Sequence, residues 1–463
     1  MGFLFGLAVV AGGIAGLVVL YVLWWYLFSY SKVVVTVSTE APEDFKVCPI
    51  TSPLTPPLPT ENTHSHAINN QQETLRNCKV LLGGWKPTMV APGMATQTLG
   101  VAVKRTRPFV TCNRELLRLA DGGQVGLDWF PMSSNDRARY ARQVRDLQRQ
   151  GVAVPAPAAS EEERPIVVVC HGLNGGSNEN YIRHFARALQ QDPRLRGCRV
   201  VVMVARGLGG VPMLTPTPYN AGSTDDVRAA IAHLHARYPR APLLLAGFSL
   251  GANVACRYVC EERGRTPVAA VLAVNCPFDL HASIVNLETR QGAVGRYFSA
   301  NMAKGLARYT RKNAEALRKS PYRVDLRAAC AARLCSEFDE AGSSKMFGLA
   351  HNTDYYREYS ALPVLREHAA AVTTPTLFLA AANDCMCAPE VRAEVQDIVR
   401  RAGPAARIAL ATSQNGGHLG FLEATGVHDA CSWQHSWMDR VGREWFANAL
   451  NSYVPLEQEQ QQQ

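Results

Sequence analysis

The sequence predicts an α/β fold with a mostly parallel central sheet covered by helices on both faces, and three observations carry that reading. Six apolar or β-branched runs, 166–170, 200–204, 243–246, 268–274, 376–379 and 408–411, are separated for the most part by helix-length segments. Short, continuously apolar runs are what strands buried on both faces require. Ahead of them, the runs 115–119 and 124–129 flank Asp121-Gly122-Gly123, a hairpin signature. Finally, Gly247-Phe248-Ser249-Leu250-Gly251 joins the run 243–246 to the helical stretch 252–258. A serine at the apex of a tight strand-to-helix turn is strained and crowded, and glycines on either side remove side chains that would clash there.

The remaining segments follow in chain order. From Gly2 through Ser31 there is no charged side chain, and Trp24, Trp25, Tyr26 and Tyr30 gather at the far end. About 20 apolar residues span a hydrocarbon core, and aromatic rings favour its interface, so residues 1–31 read as a single-pass transmembrane anchor. A cleaved signal peptide would have a shorter apolar core behind a basic start. Residues 32–79, with Pro53, Pro56, Pro57 and Pro59, read as a linker. One large α/β domain is expected over 80–453. Within it, 277–365 interrupts the strand–helix alternation with helical, polar-rich sequence and reads as a lid. The glutamine-rich end, 454–463, reads as a disordered tail.

Hydrophobic content of 47% against 19% charged residues is that of a chain with a sizeable core. The 48 basic and 39 acidic residues leave a net charge of +9 and read as scattered. The densest basic stretch, Arg137 to Arg149, is interleaved with Asp136 and Asp146 and reads as a solvated helix face. Without a basic face carrying aromatic stacking partners, nucleic acid is not an expected partner. The thirteen cysteines show no framework spacing, and Cys170, Cys198 and Cys276 lie in or beside strand-like runs. Free thiols packed as small hydrophobes are expected from that, which favours the cytosolic side of an endomembrane for the domain while leaving its side open. Neither Cys385-x-Cys387 nor Cys256-x3-Cys260 has zinc-site spacing, so no metal is expected.

A serine hydroxyl needs a base to remove its proton and a carboxylate to orient that base. The Gly-x-Ser-x-Gly turn points to the α/β-hydrolase fold, where the chain order is Ser, then Asp or Glu, then His. Asp384 follows the run 376–379, and His418 lies in Gly416-Gly417-His418-Leu419-Gly420 after the run 408–411. The expected set is therefore Ser249 as nucleophile, His418 as base and Asp384 as the orienting acid. Asp279, just beyond 268–274, is the alternative acid. His171-Gly172-Leu173-Asn174-Gly175-Gly176 follows the run 166–170, and the N–H groups of Leu173 and Leu250 are the expected oxyanion donors. Arg206-Gly207-Leu208-Gly209-Gly210 lacks dinucleotide or P-loop spacing and reads as a tight turn near the mouth of the site.

At these residues the chain resembles the membrane-anchored branch of the abhydrolase-domain proteins, types one and three, with related plant, yeast and bacterial esterases. The resemblance rests on Leu119 to Gly123, His171 to Ser177, Tyr219 to Asp226, Gly247 to Gly251, Asn275 to Asp279, Glu337 to Asp339, Asp354 to Tyr356 and Gly416 to Glu423. It implies an anchored serine hydrolase acting on acyl esters, phospholipids and glycerides included, with no cofactor. Some yeast relatives make medium-chain esters, so an acyltransferase using an alcohol acceptor is the alternative. The family's nucleophile, acid and base fall on Ser249, Asp384 and His418. Two departures stand out. Asn383-Asp384-Cys385 replaces a pair of acidic residues followed by proline, and 132–164 is longer than usual. An H-x4-D acyltransferase motif is absent, since Glu423 stands five residues after His418.

Overall fold

The computed structural model describes residues 31–38, 110–151, 160–424 and 436–451, with residue 154 and single residues or short stretches between 75 and 98. Apart from Ser31, the expected anchor lies outside the described residues, as do most of the expected linker and the tail 454–463. Among the described residues no helix is long and apolar enough to cross a membrane.

One nine-stranded sheet organises the chain, in the order β1-β9-β8-β7-β6-β4-β5-β3-β2. The strands are β1 (Val33–Thr36), β2 (Asn113–Arg118), β3 (Gln124–Trp129), β4 (Ile166–Cys170), β5 (Arg199–Val204), β6 (Leu243–Phe248), β7 (Val268–Val274), β8 (Thr376–Ala381) and β9 (Ile408–Ser413). The six from β4 to β9 run parallel, and the β2–β3 hairpin and β1 close the two edges antiparallel. Side chains alternate between faces along each strand. On β4, Val167 and Val169 join a core with Phe185 and Trp445, while Ile166, Val168 and Cys170 join a second core with Ile231 and Val395. The first face is covered by helices Asn180–Gln191 and Trp437–Asn451, the second by Thr224–Arg237, Leu250–Glu262 and Pro389–Arg401.

The expected linker does not hold as written. Val33–Thr36 adds an edge strand to β9, with Val33 opposite Ser413. Leu75 and Cys78, near the linker's expected end, are buried in the first core, as are Leu81 and Trp85 just inside the expected domain. Trp85 stacks on Trp437 at 5.7 Å between ring centroids, and its indole N–H donates to Ser413 Oγ at 2.7 Å. A four-residue strand has too little period to stand out in sequence, and only its distant partner β9 defines it. The eleven described cysteines are all free thiols, and burial pushes Cys170 and Cys198 up to about 12.

Between β7 and β8 the chain is helical, including Leu280–Val285, Gly292–Lys312, Leu326–Ala331 and Asn352–Tyr359. These helices build a small core of their own around Leu306, Phe338 and Tyr356. Two contacts seat the insertion on the sheet's upper edge. Gly305 passes so close to Asn174 that a Cβ would lie 2.3 Å from its Nδ2, and Asn174 Nδ2 donates to the Met302 carbonyl at 3.1 Å. The turn at 206–210 is the second. Arg206, buried, forks onto Asp226 with bonds of 2.6 and 2.9 Å and also pairs with Asp121. Its carbonyl accepts from Tyr309 Oη at 3.2 Å, and Asn313 Nδ2 donates to the Gly207 carbonyl at 3.2 Å. The turn that sequence placed near the mouth of the site is thus the joint between hairpin, sheet and insertion.

Removing one member of a buried ion pair leaves the other charge desolvated and unpaired, which costs about 3–5 kcal/mol. Arg206→Ala is therefore expected to lower the unfolding free energy by about that much in a denaturant titration. Asp121→Asn, at the solvent-facing end of the cluster, is expected to cost clearly less.

Candidate active site

Ser249 follows β6 with φ 53°, a left-handed value rare for a non-glycine residue. Its flanking glycines are dictated by packing. A Cβ on Gly247 would lie 2.3 Å from the Gly251 carbonyl oxygen, and one on Gly251 would lie 2.3 Å from that of Cys170 on β4. Both distances are far inside van der Waals contact with backbone, which cannot swing away. The turn therefore lies flat against the neighbouring strand, and the Ser249 N–H donates to the Val274 carbonyl of β7 at 3.0 Å.

The structure brings Ser249, His418 and Asp384 together from three strand ends. Ser249 Oγ donates to His418 Nε2 at 2.8 Å, and His418 Nδ1–H donates to both Asp384 oxygens at 3.0 Å. The Asp384 side chain is 1% exposed, and its Oδ1 also accepts the Met386 N–H at 2.8 Å. Asp279, the alternative acid, is turned elsewhere. Its Oδ1 caps helix Leu280–Val285 by accepting the Ala282 N–H at 2.9 Å. The chain order Ser, Asp, His thus becomes a continuous relay through Asp384.

The loop after β4 is held just as firmly. His171 is buried, its Nδ1–H donates to the Gly172 carbonyl at 2.8 Å, and its Nε2 accepts the Ala205 N–H at 3.2 Å. Burial lowers its basicity, so the neutral ring acts as a strut between β4 and β5. The Gly172 N–H donates to Tyr181 Oη at 2.9 Å. Leu173 and Leu250 border the same cleft as Ser249, and among the described residues no hydrogen bond occupies either main-chain N–H.

Three residues hold the His418 loop: Asn275 and Asn383, which the sequence motifs contained without a role, and Thr98, which sequence reasoning did not name. Asn275, φ 50°, donates from Nδ2 to the Gly417 carbonyl at 2.7 Å, and Asn383 Oδ1 accepts the Gly417 N–H at 2.9 Å. The His418 N–H donates to Thr98 Oγ1 at 2.9 Å. The two asparagines stand directly after β7 and beside Asp384, so their places at strand ends were the available signal. Nothing in the sequence around Thr98 announced its contact.

Above Ser249 lies a cleft lined chiefly by apolar and aromatic side chains of the insertion, among them Met302, Leu306, Phe338, Phe347 and Tyr355. Among the described residues Asp339 is the one carboxylate in its lining. It begins the π-helical turn Asp339–Ser343 and accepts from Ser343 Oγ at 2.6 Å and Tyr356 Oη at 2.9 Å. Burial raises its carboxyl to about 6, against those two hydrogen bonds, with the nearby Glu288 adding to the rise. Among the described residues no group of three or more His, Cys, Asp or Glu side chains is placed to hold a metal ion.

Comparison with known proteins agrees with this architecture. The chain is similar to the human phospholipase ABHD3, with 28% identity over 374 residues, 81% of each chain. It is also similar to a monoacylglycerol lipase of Saccharomyces cerevisiae, 28% identical over 303 residues, covering 64% of this chain and 60% of the relative. The putative esterase YheT of Escherichia coli is 28% identical over 294 residues, covering 64% of this chain and 80% of its own. The profile of the Hydrolase_4 family, serine aminopeptidase S33, matches residues 161–425, more than half of the chain and all four strand-end loops of the site. The chain belongs to that family of hydrolases, and the abhydrolase resemblance read from its motifs stands.

Proposed function

We propose that the chain is a serine hydrolase cleaving carboxylic ester bonds of lipid-like acyl esters, phospholipid or acylglycerol, through an acyl-enzyme. The observation that carries this is the relay from Ser249 Oγ through His418 to Asp384, opening beneath an apolar cleft. In this reading Ser249 Oγ attacks the ester carbonyl as His418 Nε2 takes its proton, and Asp384 holds the imidazole by Nδ1–H and stabilises its positive charge. The N–H groups of Leu173 and Leu250 meet the oxyanion. His418 then gives the proton to the departing alcohol, and water repeats the sequence to release the acyl group. The cleft's lining suits an acyl chain, and phospholipase and lipase are the names two of the relatives carry. Residues 277–365 act as a lid over that chain, and residues 1–31 hold the enzyme at the membrane where such substrates reside.

Ser249→Ala is expected to abolish labelling by a fluorophosphonate probe and to lower kcat on a short-chain p-nitrophenyl ester by about 10³-fold or more. Labelling that survives the substitution would assign the nucleophile elsewhere. With the same ester, Asp384→Asn is expected to lose about 10³–10⁴ in kcat, because the imidazole loses its orienting acceptor. Asp279→Asn, which alters only a helix cap, is expected to stay within a few-fold of wild type.

The cleft carboxylate gives a pH signature. Asp339 has an ordinary value of 3.8 and sits at about 6 when folded. Between these values the folded chain keeps a proton that the unfolded chain has lost, so stability falls as pH rises through this window and stays lowered above it. Unfolding free energies of wild type and Asp339→Asn, compared at pH 4 and pH 7, should therefore differ. Wild type is expected to lose on the order of 2–3 kcal/mol more across the interval, and parallel profiles would refute the assignment.

A further inference from the structure

The charges that sequence reads as scattered are not evenly placed. Residues 292–333, all within the insertion, hold ten Lys and Arg against Glu315 and Asp325, a net +8 in a chain whose total is +9. All ten cations are exposed. Only Lys319 is paired with a carboxylate among the described residues, at 3.6 Å from Glu315. On helix Gly292–Lys312, Lys304, Arg308, Arg311 and Lys312 share one side and buried Gly295, Ser299, Leu306, Tyr309 and Thr310 occupy the other, while exposed Arg296 stands near the helix start in line with buried Ala303 and Ala307. The buried side carries Leu306 and Tyr309 into the wall of the cleft over Ser249. Helix Leu326–Ala331 packs alongside and continues the cationic surface with Arg327.

Large apolar groups stand exposed among these cations. Tyr297 is 59% exposed, Tyr322 47% and Val294 41%. An amphipathic cationic face dotted with aromatic side chains fits the headgroup layer of an anionic bilayer, where each Lys or Arg strengthens association about fivefold and the rings enter the interface. A nucleic-acid groove would need aromatic rings arrayed as stacking platforms, whereas Tyr297 and Val294 project from a convex helix surface. We propose that the outer face of 292–333 docks on anionic lipid headgroups, so that a single helix separates the bilayer surface from the cleft. The lipid substrate rests on the reading given under Proposed function, but the docking itself does not require it.

The test is hydrogen–deuterium exchange on the full chain, in phosphatidylcholine vesicles with and without phosphatidylserine. Apolar insertion by residues 1–31 is indifferent to headgroup charge, so it cannot mimic the result. Peptides covering 292–333 are expected to exchange on the order of tenfold more slowly in the anionic vesicles only, and to lose that protection in 0.5 M salt, where the screening length is only about 4 Å. The variant Arg296→Gln/Lys304→Gln/Arg308→Gln/Arg311→Gln is expected to lose the protection while hydrolysing a soluble short-chain ester as wild type does. Exchange that ignores headgroup charge, protection that survives the fourfold substitution, or stronger protection by single-stranded RNA than by anionic vesicles would each overturn the proposal. Charge-dependent protection in a chain that hydrolyses no ester would keep the docking surface and remove the proposed function.

Discussion

The structure depends on one close approach of backbone to backbone. At the end of β6 the chain turns so tightly that Gly247 touches the first turn of the following helix and Gly251 touches the carbonyls of Cys170, which ends the neighbouring strand, and of His171 just after it. No side chain fits in either gap, and the dense contact holds Ser249 at a φ that an L-residue rarely adopts. Because β4 and β6 are adjacent and parallel, the same approach sets the loop after β4 beside Ser249. It thereby decides where an oxyanion could sit. Asp384, His418 and the helical insertion are arranged around this fixed point.

The insertion is joined to that point by polar contacts through small residues. Gly305 lets the helix Gly292–Lys312 ride on Asn174, inside the β4 loop, and Asn313 fills the space above Gly207. Arg206 closes the joint beneath them with two carboxylates from separate parts of the sheet layer. An apolar interface there would slide and repack. Fixed hydrogen bonds instead tie the position of the cleft wall to that of the loop after β4.

Much of this was legible in the residues. The six parallel strands announce themselves because burial on both faces forces continuous apolar runs, and the observed strands differ from them by at most two residues at an end. Ser249, His418 and Asp384 were legible because each needs a loop at a strand end and a fixed chain order. Chain order alone left Asp279 as the alternative acid and only strand position favoured Asp384; in the structure His418 Nδ1 meets Asp384, while Asp279 caps the helix at Ala282. The edge strand β1 and the burial of Trp85 were hidden because long-range partners define them. The cationic face was hidden for a related reason. Its members are spaced irregularly along the chain, and only the helical winding of 292–312 gathers Lys304, Arg308, Arg311 and Lys312 on one side.

Backbone strain shows where the fold concentrates its rigidity. Seven described non-glycine residues have positive φ, and Arg196 and Arg263 among them simply end helical turns. The other five, Asn174, Ser249, Asn275, Leu419 and Phe421, all lie in the loops that follow β4, β6, β7 and β9. Strained conformations persist only where surroundings over-determine them, and here the surroundings are visible. Asn275 and Asn383 grip the two sides of the Gly417 peptide, Thr98 receives the next N–H, and Tyr181 receives that of Gly172. A relay whose loops are each fixed by a backbone hydrogen bond needs little reorganisation when charge develops on it, which is the condition for electrostatic stabilisation of a transition state. The strain at these five residues is therefore the structural counterpart of the 2.8 Å contact between Ser249 and His418.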